Sequence, residues 1–163
     1  MDLHLWYDIV CPYAYLGFTQ ARALADRAGA TLRYHPVLLG GLFRAFQAPD
    51  NPGQAMSPPR ARLNALDLLR RAELLGVDLS WHPRHPVRSV DAIRLLVAAP
   101  PAVLPDLSVA LFRAYWERHE DVSDHGVLRR IAHEHGVDPD LFTTPTARQA
   151  LFDATAAAAA QGV

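Results

Sequence analysis

The chain has 163 residues, half of them hydrophobic and a fifth charged, which is enough for one good core and too few for two independent domains. Its sixteen basic residues, all arginine, are scattered among seventeen acidic ones for a net charge of −1, so no basic field exists to hold a phosphate backbone and the composition argues against nucleic acid as a partner. No apolar run approaches the ~20 residues of a membrane span, and Met1-Asp2-Leu3-His4 lacks the basic-then-apolar order of a signal peptide; a cytoplasmic setting without membrane contact is the expectation.

In chain order, Leu3 to Val10 read as a short apolar strand that runs directly into Cys11-Pro12-Tyr13-Ala14-Tyr15-Leu16-Gly17. Pro12 suits a first helical turn, where its missing N–H would be unpaired anyway, and the apolar spacing predicts a helix to Ala28 with Gly29 as its stop. Cys11 then falls at the N-cap. Thr31 to Leu39 is rich in strand formers and closes a β-α-β unit, whose crossover helix requires a parallel, right-handed pairing. Gly40-Gly41 and the proline-rich stretch from Gln47 to Pro59 read as a long irregular connection.

Helices follow. One begins at Ser57-Pro58, carries Leu63, Leu66, Leu69 and Leu75 on or near one face and ends at Gly76. Ser89 to Ala99 predicts a second, stopped by Pro100-Pro101. Asp106 to about Arg118 predicts a third, with Leu107, Leu111 and Tyr115 in register, and Ser123 to His135 a fourth, closed by Gly136. A fifth opens at Thr144-Pro145 and runs through the Ala156–Ala160 tract to Gly162. The order is therefore strand, helix, strand, then only helices. Two strands alone leave an apolar face and two rows of backbone groups uncovered, so strands completing the sheet are expected beyond Val163, supplied by more chain or by a second copy in a homodimer.

A lone cysteine is a buried small hydrophobe, a metal ligand or a working thiol. The strand-to-helix position of Cys11 points to the last, because the unpaired N–H groups and the positive end of the macrodipole stabilise a thiolate and predict a lowered pKa. Among the eight histidines, His82-x-x-His85 and His133-Glu134-His135 come nearest to a metal motif. Two ring ligands two apart on a helix point to different sides, and a closed zinc site wants more Cys or His at regular spacing, so no metal is expected.

The run Asp8-Ile9-Val10-Cys11-Pro12-Tyr13-Ala14-Tyr15-Leu16-Gly17 resembles the opening of 2-hydroxychromene-2-carboxylate isomerases and kappa-class glutathione transferases, within the DsbA-like thioredoxin fold. Pro36-Val37-Leu38-Leu39-Gly40-Gly41-Leu42-Phe43 resembles that family's end of the second strand, Asn51-Pro52 its glutathione-loop Asn, and Arg60 stands where Lys is usual. Asp67 to Ala72 resembles its Asp-Leu-x-Arg-x-Ala helix, His85-Pro86 its Phe-Pro before the Arg94 helix, and Leu128 to Asp138 a late helix and its stop. The resemblance implies an α/β thioredoxin-like fold with a large all-helical insertion. Residues 1–39 would form the N-terminal β-α-β part, 40–144 the insertion and 145–163 a helix returning to the thioredoxin-like domain. A cis-proline loop, an antiparallel hairpin and a final helix would follow Val163.

It further implies glutathione, or another low-molecular-weight thiol, as cosubstrate, with Cys11 catalytic and Cys11, Pro12, Tyr13, Asn51 and Arg60 binding the thiol. The residues themselves leave plainer readings open: Asn51 as a turn former beside Pro52, Arg60 as a solvated first-turn cation, Tyr13 and Tyr15 as core or pocket wall, Asp67 and Arg70 as a local helix pair. The family usually has Ser at position 11, and its disulfide oxidoreductase branch has Cys-Pro-x-Cys; here the second cysteine is replaced by Ala14. Two mechanisms follow. In one, Cys11 and the helix N-terminus hold a glutathione thiolate that attacks a small aromatic or unsaturated substrate. In the other, Cys11 itself forms a mixed disulfide that an external thiol must resolve. A non-catalytic thioredoxin-like binding protein is the third reading.

Overall fold

The computed structural model describes residues 1–49, 53 and 55–163, so Asn51 lies outside the described residues. Strand β1 (Asp2–Tyr7) pairs in parallel with β2 (Thr31–Pro36), Leu5 opposite Tyr34 and Tyr7 opposite Pro36. The crossover between them is helix α1 (Pro12–Ala28), which ends as its sequence predicts: Gly29 takes the left-handed conformation at φ 59°, and its N–H reaches the last carbonyls of the helix. Side chains alternate along a strand, and one face of the pair carries Tyr7 and Tyr34 onto the Phe18 ring of α1. Among the described residues the sheet has these two strands.

Gly40-Gly41 was expected to open an irregular connection, yet a short helix α2 (Leu39–Ala45) follows β2 and carries both glycines. Two glycines are poor helix formers; a tertiary contact overrides the propensity. A Cβ on Gly41 would lie 2.8 Å from Thr155 Cγ2, while the Thr155 hydroxyl accepts a hydrogen bond from Leu38 N–H at 3.1 Å. The missing side chain lets the last helix come close enough to cap the start of α2.

The remaining helices are α3 (Pro58–Leu75), α4 (Val90–Ala98), α5 (Leu104–Trp116), α6 (His125–Glu134) and α7 (Pro145–Ala160), with a 3-10 turn at Leu141–Thr143 before α7. Helix α6 is capped by the Asp124 carboxylate rather than by Ser123. On α5, Leu107, Leu111 and Tyr115 are all buried as their register predicts. The leucines expected to form the buried face of α3 are not buried: Leu63, Leu66, Leu69 and Leu75 are exposed, and Leu68 and Ala72 make the contact with the core instead. The apolar stripe of α3 is wide, and only its narrow edge meets α1. Asp67 pairs with Arg71, one helical turn on, rather than with Arg70.

One core runs from β1 and α1 through α4, α5 and α6. Two buried polar contacts fasten the end of β1 to α5: Tyr7 Oη meets Ser108 Oγ at 2.6 Å, and Trp116 Nε1 donates to the carbonyl of Ile9 at 2.8 Å. These bonds fix the backbone that leads into Cys11. Among the described residues no helix is long and apolar enough to cross a membrane.

Candidate functional site

Four residues, Asp8 to Cys11, separate the end of β1 from α1, and the chain turns sharply across them: Cys11 N–H donates to the carbonyl of Asp8 at 3.0 Å. Cys11 occupies the N-cap with extended backbone (φ −89°, ψ 115°), Pro12 is the first helical residue, and the cysteine carbonyl accepts the first helical bond from Tyr15. The sulfur is partly buried and faces the N–H groups of Ala14 and Tyr13.

The Cys11 thiol is pushed up, not down. Burial is the largest cause, and the Asp8 carboxylate adds to it, while the Ala14 and Tyr13 N–H groups pull the other way without prevailing. This corrects the expectation from helix position alone. The first turn supplies the stabilising dipole, but among the described residues no cation acts on the sulfur, and the Asp8 carboxyl acts against it.

Asp8 is itself buried, 2 % exposed. Its Oδ1 accepts from Val10 N–H at 3.2 Å, and its Oδ2 from Leu39 N–H at 2.9 Å and Ser89 Oγ at 3.0 Å. Burial raises its pKa against those donors. The carboxyl thus joins three separate pieces of chain, the β1 exit, the start of α2 and the start of α4, around the cysteine.

These pieces enclose a cleft of about 330 Å³ lined by Asp8, Cys11, Pro12, Leu38, Phe43, Arg44, His85, Arg88 and Ser89, among others. Arg44 and Arg88 are exposed on its rim, and among the described residues neither has a carboxylate partner. His85 follows from a loop fixed by Tyr115: the phenol oxygen accepts from Val87 N–H at 3.4 Å and shares a hydrogen bond with His85 Nδ1 at 2.8 Å. Burial pushes the Tyr115 phenol up to about 12, so it stays protonated. Burial, with His82 nearby, pushes the His85 imidazole down, which favours the neutral ring. The His85–Pro86 peptide is cis.

Of the residues singled out from sequence, Cys11 and Pro12 meet at the cleft. Tyr13 turns its side chain the other way, toward α3, where its hydroxyl donates to Asn64 Oδ1 at 2.7 Å; only its backbone N–H faces the sulfur. Tyr15 is buried against Phe112, its hydroxyl donating to Glu117. Arg60 is exposed in the first turn of α3 and does not line the cleft. Sequence reasoning missed Asp8, Arg44, Arg88 and Ser89 as cleft residues and gave His85 no role; an aspartate inside an apolar strand end, three residues before the cysteine, was the one signal that could have found any of them. His82, the other half of the noted pair, stacks on Tyr115 with its Nδ1 accepting from Arg84 N–H, and among the described residues no three Cys, His, Asp or Glu side chains converge as a metal set.

The cleft residues can hold an anionic thiol. Two rim guanidiniums offer charge to carboxylates, and the open end of α1 offers N–H groups to a sulfur. The family model described as DSBA-like thioredoxin domain matches residues 2–163. Glutathione S-transferase kappa 1 of Rattus norvegicus is 26% identical over 143 residues, covering 83% of this chain and 62% of the rat protein, so the chain spans about three fifths of that relative's length. The structure of a 2-hydroxychromene-2-carboxylate isomerase superposes with a TM-score of 0.83 at 20% identity, over 100% of this chain and 81% of the other. That of the cytosolic disulfide reductase DsbM from Pseudomonas aeruginosa with GSH superposes with a TM-score of 0.67 at 17% identity, over 99% and 81%. At these identities the two structures establish a shared fold.

Proposed function

The chain belongs to the DSBA-like thioredoxin domain family, and we propose that it acts as a glutathione-dependent isomerase or transferase of the 2-hydroxychromene-2-carboxylate isomerase type on a small aromatic or unsaturated substrate. The observation that carries this reading is the state of Cys11. Its thiol is pushed up by burial and by Asp8, so at neutral pH it is an S–H group at the head of a helix. A neutral thiol is a poor nucleophile and a usable hydrogen-bond donor.

Glutathione, when bound, supplies the thiolate nucleophile that adds to an electrophilic carbon. The chain's own groups do the rest. Cys11 S–H donates to that sulfur, the N–H groups of Tyr13 and Ala14 add the helix dipole, and Arg44 and Arg88 hold carboxylates at the rim. His85, hydrogen-bonded to Tyr115, offers a neutral ring on the cleft wall, and Phe43 and Leu38 keep the cleft apolar beside the sulfur. A cytosolic setting, where reduced glutathione is abundant, fits the same chemistry, and the kappa-class relative supports the choice of thiol.

A second reading rests on one specific observation. A single sulfur at the reactive position, with Ala14 in place of a second cysteine, is also what a monothiol disulfide oxidoreductase needs when an outside thiol resolves its mixed disulfide. Replacement of Cys11 separates the two. With Cys11→Ser, a hydroxyl donor remains: glutathione addition to an electrophile such as 1-chloro-2,4-dinitrobenzene should be kept within roughly tenfold, while Cys11→Ala loses more. Loss of turnover in the serine variant, together with glutathionylation of wild-type Cys11 by oxidised glutathione at a turnover-competent rate, would move the assignment to the redox reading.

A further inference from the structure

A second cleft, of about 550 Å³, lies behind the cysteine site between α2, α4 and α7. It shares the wall residues Leu38, Arg44 and Val90 with the first but does not include Cys11. Its lining combines three guanidiniums, Arg44, Arg94 and Arg148, with the apolar side chains Leu151, Phe152 and Ala156.

The charge on this cleft is poorly matched from within. Among the described residues no carboxylate lines it. Arg44 donates from Nε to the carbonyl of Gly40, and Arg148 has no side-chain partner among the described residues. Arg94 is tied through Nη1 to Asp91, which also meets His125, but its Nε is shut away from solvent with no acceptor. Buried donors without acceptors are rare because their desolvation goes unrelieved.

The apolar half has its own shape. Phe152 is 69% exposed, an aromatic ring left at the mouth. The Ala156–Ala160 tract of α7 contributes small side chains, and Ala156 and Ala159 leave open the space that larger residues would fill. The volume falls in the range of small-molecule sites, which join an apolar wall to a few placed polar groups.

We propose that this cleft binds a small amphipathic organic anion, an aromatic or alicyclic carboxylate or sulfonate, its charge on Arg148, Arg94 and Arg44 and its apolar body against Leu151, Phe152 and Ala156. The site shares Arg44 with the cysteine cleft but does not include Cys11, and the proposal does not depend on the sulfur chemistry proposed above.

The test is a fluorescence titration of the full chain with 1-anilinonaphthalene-8-sulfonate, displaced by 2-naphthoate, beside its uncharged analogue N-phenyl-1-naphthylamine. Arg148→Glu is the informative variant, because an acid in the first turn of α7 agrees with the helix dipole and the fold should tolerate it. The expected result is a single saturable site for the sulfonate, weakened at least about tenfold by Arg148→Glu and by added salt. The uncharged analogue should bind weakly, with no change in that variant, and Phe152→Ala should weaken both probes. Cys11→Ser should leave the sulfonate titration as in the wild type, whatever it does to turnover. Absence of sulfonate binding, equal binding by the Arg148→Glu protein with an unchanged thermal midpoint, tighter binding of the uncharged probe, or loss of binding in Cys11→Ser would each overturn the assignment.

Discussion

In an Asp8→Asn protein the buried side chain keeps its shape and loses its charge. Asp8 sits beneath Cys11 and is one of the causes that raise the thiol. Burial remains the largest cause of the raised thiol and stays in the variant, so removing the Asp8 charge should lower the Cys11 midpoint without bringing it to that of an exposed thiol at a helix end. The assay is the pH dependence of iodoacetamide alkylation, clean here because Cys11 is the chain's one cysteine. A midpoint that stays or rises would refute the claim that the Asp8 charge holds the thiol neutral. The same variant tests linkage. A carboxyl whose folded pKa is raised gives stability that is fully present below its unfolded pKa, near 3.9, and is lost as pH rises through the folded value. Denaturant midpoints should therefore fall less between pH 4 and pH 7 in Asp8→Asn than in the wild type. Its overall stability drops by roughly 1–2 kcal/mol, since one amide N–H must face the donors now served by the carboxylate.

Three further outcomes follow from the geometry around the site. Gly41→Ala drives its new methyl into Thr155 Cγ2 and should cost roughly 1–3 kcal/mol in urea unfolding; adding Thr155→Ser, which removes that methyl but keeps the hydroxyl for Leu38 N–H, should restore most of the loss, and no rescue would mean that the contact is not what places α2. Trp116→Phe strips the donor from the Ile9 carbonyl and should destabilise by roughly 2–4 kcal/mol through the orphaned carbonyl and the cavity. Alkylation of Cys11 should become faster as its support loosens, whereas an unchanged rate would separate the tryptophan from the site. His85→Phe removes an imidazole whose folded pKa is lowered; such a group gives stability present above its unfolded pKa near 6.5 and lost as pH falls through the folded value. The variant should therefore lose less of its thermal midpoint between pH 7 and pH 5 than the wild type, and an identical acid slope would leave that loss to His82 and His35, the other lowered imidazoles.

Most of the fold was legible because local signals agreed with tertiary demands. Pro12 and Gly29 bound α1, Pro58 and Gly76 bound α3, and Thr144 caps α7, each within a residue of the sequence reading. The failures have a common cause. Helix α2 escaped notice because its glycines are explained only by Thr155, more than a hundred positions away. The face of α3 was misassigned because its leucines outnumber the positions that α1 can cover, so periodicity marked an apolar side without saying which part of it meets the core.

The thiol shows the same limit at the level of chemistry. A cysteine at the head of a helix sees a dipole worth about 0.3–1 kcal/mol at an exposed site, a stabilisation visible from Pro12 and the helix that follows. The opposing influences are not local. Asp8 is a buried carboxyl only because Leu39, 31 positions on, and Ser89, 81 positions on, close over it with hydrogen bonds. The cleft that desolvates the sulfur is likewise built from α2 and the loop before α4, and the arginines on its rim come from those same distant pieces. Burial and one carboxylate then outweigh the helix end, and the thiol is raised where the helix alone would lower it. The local sequence marks where the cysteine sits in the fold, whereas what raises its pKa depends on the distant contacts that Leu39 and Ser89 make with Asp8.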